Sequence, residues 1–292
     1  MKKPAIPSFG QQEQINAYFQ SQTSLWRDIY AGSDVNAQIY RDRHAAALSW
    51  IDGLSLTPGS QALEIGCGAG FMAIALAQRE LHVQAIDSTE AMLEQARRNS
   101  EASGIALSLH IGDATTLAFS DDSFDLVVAL GVIPWLEQPA LAVQEMARVT
   151  KPGGYIIFSA DNRYRLNALL DPLLNPVLTP LKRGIKVTLG RTGQRPLTSK
   201  DIGATLHSRR FIDRSVRRAG LTKTRSKTLG FGPFTFFRRT IIPESIGTGL
   251  HLRLQSLVDR NIFGFRSTGA HYLVLARKPV DLSLCREAVG ES

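Results

Sequence analysis

The 292-residue sequence predicts an α/β fold built on a doubly wound, seven-stranded sheet, and three observations carry that prediction. Between residues 63 and 160, short β-branched or apolar runs alternate with amphipathic stretches of helical length, which is the rhythm of consecutive βαβ units. A glycine-rich turn, Gly66-Cys67-Gly68-Ala69-Gly70, sits between the first apolar run and the first such helix. Beyond residue 206 the rhythm returns as one helix and two strands, which brings the strand total to seven.

The elements follow in order. Strands are expected at 62–65, 82–86, 107–111, 124–130 and 155–160, where β-branched and apolar residues cluster between turn signals. Helices are expected at 72–78, 90–102 and 140–149. Ser88 or Thr89 caps the second helix, and Lys151-Pro152-Gly153-Gly154 stops the third and turns into the fifth strand. These five strands are expected to form a parallel sheet with helices on both faces, and a later helix at 210–219 and strands at 221–229 and 270–277 resume the pattern. His110, inside a strand, reads as core.

Two regions interrupt the rhythm. Residues 11–52 read as helices rich in aromatic residues, among them Tyr18, Phe19, Trp26, Tyr30, Tyr40 and Trp50. Residues 166–181 contain Pro172, Pro176 and Pro180, so short helical turns with leucines on one side replace a continuous helix. The expected organisation is an N-terminal helical cap (1–55), a core (56–161) and a basic lid insertion (162–205). The core continues over 206–230, followed by a second insertion (231–266), the last core strand (267–279) and a tail (280–292). The second insertion carries Phe231, Phe234, Phe236 and Phe237, which read as an exposed cluster. Both insertions are expected to cover the mouth of a site.

A composition of 43% hydrophobic and 21% charged residues excludes a largely disordered chain. The two cysteines, Cys67 and Cys285, are far apart, which excludes a disulfide framework and a cysteine zinc site; no metal site is expected. The N-terminal Met1-Lys2-Lys3-Pro4 precedes no apolar stretch, and no apolar run approaches the ~20 residues of a membrane span. A cytoplasmic protein is expected. Charge is strongly segregated: residues 1–162 hold 10 Lys/Arg against 18 Asp/Glu, whereas residues 163–278 hold 23 against 5. Such a basic half suits an anionic partner, either a membrane surface touched peripherally or RNA phosphates, or else is a solvated face. Arg209, Arg210, Arg214, Arg217 and Arg218 cluster around one expected helix, but the aromatic residues form no base-stacking module, which disfavours nucleic acid.

The chemistry centres on Leu63-Glu64-Ile65-Gly66-Cys67-Gly68-Ala69-Gly70, where glycines let backbone approach a ligand closely. Asp87 ends the second strand, 23 residues after Glu64, where a carboxylate can accept both hydroxyls of a ribose. Gly112-Asp113-Ala114 follows the third strand, where an aspartate can accept from an adenine amino group. Phe124-Asp125 begins the fourth strand and Lys151-Pro152-Gly153-Gly154 leads into the fifth. A nicotinamide dehydrogenase would show GxGxxG and lacks the GDA and KPGG signatures.

This set, in this order, resembles the class I S-adenosylmethionine-dependent methyltransferases, whose sheet is Rossmann-like, over residues 62–160 and again at the final strand pair. The resemblance implies S-adenosylmethionine as cofactor and S-adenosylhomocysteine as product. It implies that Glu64 orients the glycine loop and the methionine amine, with Gly66, Cys67, Gly68 and Gly70 beside the amino-acid part. Asp87 would take the ribose, Ser88 and Met92 would flank the adenine, and Asp113 and Ala114 would read it. Leu130 and Gly131 would line the sulfonium. Cys67 itself reads as a small filler of the turn.

A second, narrower resemblance lies in the N-terminal helices. Tyr18-Phe19, Trp26 and Ile29-Tyr30, followed by Asn36 and Arg43, are similar to magnesium-protoporphyrin O-methyltransferase. In that family the tyrosine matching Tyr30 lies over the cofactor and helps catalysis. A histidine follows its fourth strand, where this chain has Val132-Ile133-Pro134-Trp135-Leu136, so Trp135 takes that place.

Methyl transfer is an in-line displacement that depends mainly on holding the acceptor ~3 Å from the methyl carbon. A carboxylate acceptor needs no base, whereas a phenol or amine gains from one. Tyr30, His44 and Asp161 are the candidate bases, and Tyr30 and Trp135 the candidate substrate contacts. The expected function is methylation, at oxygen, of a hydrophobic small molecule or lipid-like intermediate, with arginines at the rim holding an acid group. An RNA methyltransferase and a tetrapyrrole carboxyl methyltransferase are the alternatives. The expected pocket is closed and apolar, bounded by Tyr30, Trp135, the leucines of 166–181 and the Phe231–Phe237 cluster.

Overall fold

The computed structural model describes residues 11–178, 204–237, 239–260, 262 and 265–280. Three helices, α1 (Gln11–Ser21), α2 (Thr23–Asp28) and α3 (Val35–Ile51), precede the sheet. Asp34 caps α3, its carboxylate accepting the N–H groups of Asn36 and Ala37. The core then alternates β1 (Gln61–Ile65), α4 (Phe71–Ala77), β2 (His82–Asp87), α5 (Glu90–Ala102), β3 (Ser108–Ile111), β4 (Phe124–Ala129), α6 (Pro139–Val149) and β5 (Thr150–Asp161). After the short α7 (Leu166–Leu170) come α8 (Arg209–Arg218), β6 (Thr222–Leu229), the two-residue strands β7 (Thr235–Phe236) and β8 (Arg239–Thr240), α9 (Glu244–Asp259) and β9 (His271–Arg277).

The seven-stranded sheet has the order β3-β2-β1-β4-β5-β9-β6. Strands β1 to β5 pair in parallel, but β9 inserts antiparallel to both β5 and β6, so the sheet is mixed and not parallel throughout. This final insertion places His271 directly opposite Asp161. The pleat sends alternate side chains to opposite faces. Leu63, Val127, Phe158 and Val274 pack with α6 and α8 on one face; Ala62, Val128, Ile157 and Leu273 pack with α3, α4 and α5 on the other.

The fifth strand begins earlier than its sequence suggests, because Lys151 to Gly154 already belong to it. There Asp125 accepts the backbone N–H of Gln61 and the ammonium of Lys151, each at 2.8 Å, tying β1, β4 and β5 together. The FD and KPGG signatures thus form a strand clamp. His110 is exposed, not core, because β3 is the sheet's edge strand.

The basic half has a partly structural explanation. The opposite edge, β6, exposes Lys223 and Arg225, and charged edge positions discourage pairing with other chains. Lys223 pairs with Asp213 and Lys227 with Asp259, both at 2.7 Å, while the Arg225 guanidinium lies 5.6 Å from the Trp50 ring centroid. On α8, Arg210, Arg214, Arg217 and Arg218 are solvent-facing, whereas Arg209 turns inward over Tyr272 and bonds to Ser267.

The phenylalanine cluster divides. Phe231 (1% exposed) and Phe234 (7%) are buried with Val258 and Leu166, while Phe236 and Phe237 remain at the surface. Burial follows from a polar pin between the second insertion and the N-terminal cap. His251 on α9 is fully buried; its Nδ1 accepts the Phe231 N–H at 3.1 Å, so Nε2 carries the proton and donates to Asp42 on α3 at 2.8 Å. Burial would raise the Asp42 carboxyl, but the bonds from His251 and Gln38 hold it below its usual value.

Candidate active site

A cleft of about 1270 Å³, counted to its open mouth, lies between the N-terminal helices and the carboxyl ends of β1, β2 and β4. It runs from the glycine turn at Gly66–Ala69 past Asp87 and Asp113 to Trp135, Asp161 and His271. Its floor is the turn from β1 to α4.

Gly66 and Gly68 both adopt left-handed backbone, with φ of 65° and 52°. Their surroundings differ. A Cβ on Gly66 would lie 2.5 Å from Val132 Cγ2, whereas a Cβ on Gly68 would meet nothing within 4 Å. Gly66 is needed for packing and Gly68 keeps the cleft clear. Gly66→Ala should therefore lose stability through both clash and strain, while Gly68→Ala should incur only the ~1–2 kcal/mol of left-handed backbone yet weaken ligand binding. Thermal unfolding alongside ligand titration separates the two.

Glu64 shares the face of Ala62 and is buried beneath this turn. Its Oε2 has no hydrogen-bond partner. Burial pushes its carboxyl well above the usual range, the N–H of Ala73 opposes that, and the nearby Asp87 adds to it. A cation in the cleft would satisfy it. Asp87 Oδ2 accepts the Gly68 N–H at 2.9 Å and Oδ1 the Thr89 N–H at 3.0 Å, which fixes the carboxylate and leaves further lone pairs toward the cleft. Burial raises this carboxyl too, against those bonds.

The other expected cofactor contacts gather on the same walls. Gly70, Cys67 and Met92 are buried near the turn, and Cys67, its thiol pushed up by burial, fits an inert filler. Gly70 alone of the glycine turn does not line the cleft. Ser88 donates to Asn16 of α1 at 3.0 Å. Asp113 uses Oδ1 to accept the N–H and hydroxyl of Thr115, both at 2.7 Å, and Ala114 lies beside it. Leu130 and Gly131 follow the end of β4, and the Gly131 N–H is held by the Ser159 hydroxyl at 2.8 Å.

An aromatic wall forms the roof. Trp135 stacks on Tyr18 at 5.7 Å and meets Phe19 edge-on at 5.0 Å; Phe19 contacts Trp26 at 5.4 Å, and Trp26 contacts Tyr40 at 6.1 Å. The leucines of 166–170 do not reach this cleft, and neither do Phe231 and Phe234. Leu166 packs against those phenylalanines instead, so among the described residues the roof is the N-terminal cap and not the insertions. Residues 179–181 of the expected leucine lid lie outside the described residues.

The three candidate bases separate. Tyr30 lines the cleft, but burial raises its phenol; Arg43 opposes that shift and Glu64 adds to it. His44 sits behind Tyr30, 5.5 Å ring to ring, in a shallow depression outside the cleft. Asp161 lines the cleft and is no simple turn residue or helix cap, since Oδ1 meets His271 Nδ1 at 3.0 Å. Burial would raise its carboxyl, but His271, Arg43 and Arg165 together hold it below the usual carboxylate range.

Among the cleft residues that carry no site role in the sequence reading are Tyr40, Arg43 and His271. Arg43 is 5% exposed, its guanidinium 4.8 Å from the Tyr40 centroid and 3.0 Å from where a Cβ on Gly131 would sit. The signal for Arg43 was available: a basic residue facing inward among apolar helix positions. His271 depended on the strand pairing.

The fold is that of the class I S-adenosylmethionine-dependent methyltransferases, with its Rossmann-like seven-stranded sheet. Residues 63–158 match the family model described as a methyltransferase domain. The ubiquinone biosynthesis O-methyltransferase of Hahella chejuensis is 35% identical over 117 residues, which are 40% of this chain and 49% of that protein. The protein of the same name from Pseudomonas aeruginosa strain UCBPP-PA14 is 34% identical over 123 residues, 42% of this chain and 53% of its own. The chain thus spans about half the length of the curated relatives it matches.

Among solved structures, magnesium protoporphyrin IX methyltransferase from Synechocystis PCC 6803 with bound SAH superposes with a TM-score of 0.61 at 17% identity, covering 92% of this chain and 100% of that one. The expected likeness to that enzyme is borne out in the fold. The 4+2 cyclase SpnF superposes with a TM-score of 0.60 at 18% identity, covering 96% and 100%.

Proposed function

We propose that the protein transfers a methyl group from S-adenosylmethionine to an oxygen of a small hydrophobic molecule. The observation that carries this reading is the unpartnered Oε2 of Glu64, in one cleft with Asp87 and with the open space over Gly68. When bound, S-adenosylmethionine supplies an electrophilic methyl group on a sulfonium. Glu64 would pair with its ammonium, Asp87 would accept from the ribose, and Asp113 Oδ2 would accept from the adenine amine. Met92 and Ala114 would enclose the ring, and Leu130 and Gly131 would stand beside sulfur. The aromatic roof excludes water from the meeting of the two reactants. Oxygen as the acceptor atom, and an acceptor like a ubiquinone precursor, are supported by the names of the curated relatives.

Calorimetry with S-adenosylmethionine tests the cofactor. Asp87→Ala removes bonds to a charged acceptor worth ~1.5–3 kcal/mol each, so affinity should fall tenfold or more. Unchanged affinity would contradict this assignment. Turnover with a labelled methyl group should then mark the oxygen of an apolar acceptor; a label found on nitrogen or carbon would contradict the chemistry.

A membrane-associated acceptor fits a second observation. Leu170, Leu173, Val177, Phe236, Phe237 and Ile241 of the insertions are all exposed, and Arg239 lies beside them. No described helix is long and apolar enough to cross a membrane. Peripheral contact predicts sedimentation with anionic vesicles that fades as the Debye length shrinks from ~10 Å at 0.1 M salt to ~3 Å at 1 M. Absence of binding at low salt would contradict it.

A further inference from the structure

We propose that His271, oriented by Asp161, is the proton acceptor of this site, and that with Arg43 it selects a weakly acidic, phenol-type hydroxyl as the methyl acceptor. The proposal rests on the methyltransferase reading above and adds the base and the acceptor class.

The argument starts from strand pairing. Because β9 runs antiparallel to β5, its first residue, His271, lies opposite the last residue of β5, Asp161. Both point to the face covered by α3, and both line the cleft beside Leu130 and Gly131. The 3.0 Å contact joins Nδ1 to Oδ1. An ionised carboxylate only accepts, so Nδ1 carries a proton, and in the neutral ring Nε2 then keeps its lone pair. No described hydrogen bond occupies Nε2. The imidazole is braced by the Tyr40 ring at 5.7 Å. This is an oriented base with its accepting nitrogen unengaged, a pairing in which the carboxylate fixes the tautomer and steadies the imidazolium.

Arg43 supplies the second half. It is a buried cation that forms no ion pair with a described carboxylate within 4.0 Å, and its Nε has no partner. It bonds the Tyr30 hydroxyl and acts on Asp161 only at longer range, so no carboxylate touches it directly and its positive charge stays available to an incoming anion. Its place beside Gly131 sets it where an acceptor oxygen would meet the methyl group. A neutral base next to a cation favours a hydroxyl that develops negative charge as its proton leaves. An acceptor already ionised, such as a carboxylate, would not need the base.

The step balances. The hydroxyl proton passes to Nε2, the oxygen's electron pair forms the bond to the methyl carbon, and the pair of the broken carbon–sulfur bond stays on sulfur. The imidazolium proton then leaves to water. The charged and titratable groups around the ring are Asp161 on β5 and Tyr40 and Arg43 on α3. Arg165 and His207 act on it through Asp161.

The test uses the full chain saturated with S-adenosylhomocysteine and 4-nitrophenol as probe, whose visible absorbance reports its ionisation. The wild type should bind the probe as the phenolate at a pH where the free probe is neutral. H271A should leave the bound probe neutral, and R43M should weaken its binding about tenfold or more. In turnover, H271A should lose about 10²- to 10⁴-fold in kcat, with added imidazole restoring part of it. Nitrogen-15 NMR of the wild type, which needs no variant to fold, should find the Nδ1–H tautomer at His271. An Nε2–H tautomer, or an H271A protein that ionises the probe like the wild type, would overturn the proposal and leave the dyad as a strand clamp. Failure of the wild type to bind S-adenosylhomocysteine at all would instead sink the methyltransferase reading.

Discussion

Replacing Glu64 with glutamine should make the ligand-free protein more stable while weakening cofactor binding. The carboxylate is buried, Oε2 has no partner, and its folded pKa is raised, chiefly by burial. A raised carboxyl is harder to ionise in the folded than in the unfolded chain. Above the ordinary carboxyl range it therefore opposes folding, and the opposition is relieved as pH falls through the raised value. The Glu64→Gln change removes that charge, and the amide oxygen can still accept the Ala73 N–H. The amide nitrogen then stands unpartnered where Oε2 does, so the gain comes from the lost charge alone, and each kcal/mol of it moves the melting temperature by roughly 2–4 °C in domains of 150–250 residues. The same change removes the proposed partner of the cofactor ammonium, worth ~1.5–3 kcal/mol, so affinity should fall roughly 10- to 150-fold. Differential scanning fluorimetry and calorimetry on one preparation read both. A lower melting temperature with unchanged affinity would mean that Glu64 is a structural group.

Trp135→Ala should act on the acceptor end. Its indole joins the β4–α6 connection to α1 through Tyr18 and Phe19. Two aromatic pairs at ~0.5–1.5 kcal/mol each amount to roughly 1–3 kcal/mol holding the roof on the cleft. Without them α1 should detach more often, seen as faster hydrogen exchange or proteolysis within residues 11–28. Acceptor KM should rise at least tenfold, while cofactor affinity, assigned to Glu64 and Asp87 in the proposed function, should change much less. Equal losses at both ends would mean that Trp135 supports the whole cleft.

What the sequence revealed was local. β1 through β5, with the helices between them, lie within a few residues of the expected bounds, because the apolar period and turn residues there agree with the fold. Glu64, Asp87 and Asp113 were found because each lies in or just after a strand in a recognisable order, and the structure brings all three to one cleft. What escaped was long-range. The antiparallel insertion of β9 joins residues 110 positions apart, and no periodicity signals that Asp161 will face His271. The roof was assigned to the leucines of 166–181, whose apolar pattern is real but is answered, at Leu166, by Phe231 and Phe234. His110 looked like core because strand pattern alone does not say which strand lies at the sheet edge. The basic half suggested an anionic partner, yet Lys223 and Lys227 turn out to have carboxylate partners of their own.

The central claim is that a single cleft under the aromatic roof holds the cofactor and presents its sulfur to the acceptor residues. The position of S-adenosylhomocysteine in crystals grown with the full chain tests this most directly. Its ammonium should lie on Glu64, its ribose on Asp87, its adenine between Met92 and Asp113, and its sulfur at Gly131, facing Trp135 and His271. A nucleoside bound elsewhere, or bound in this cleft with its sulfur turned away from Gly131, would contradict it.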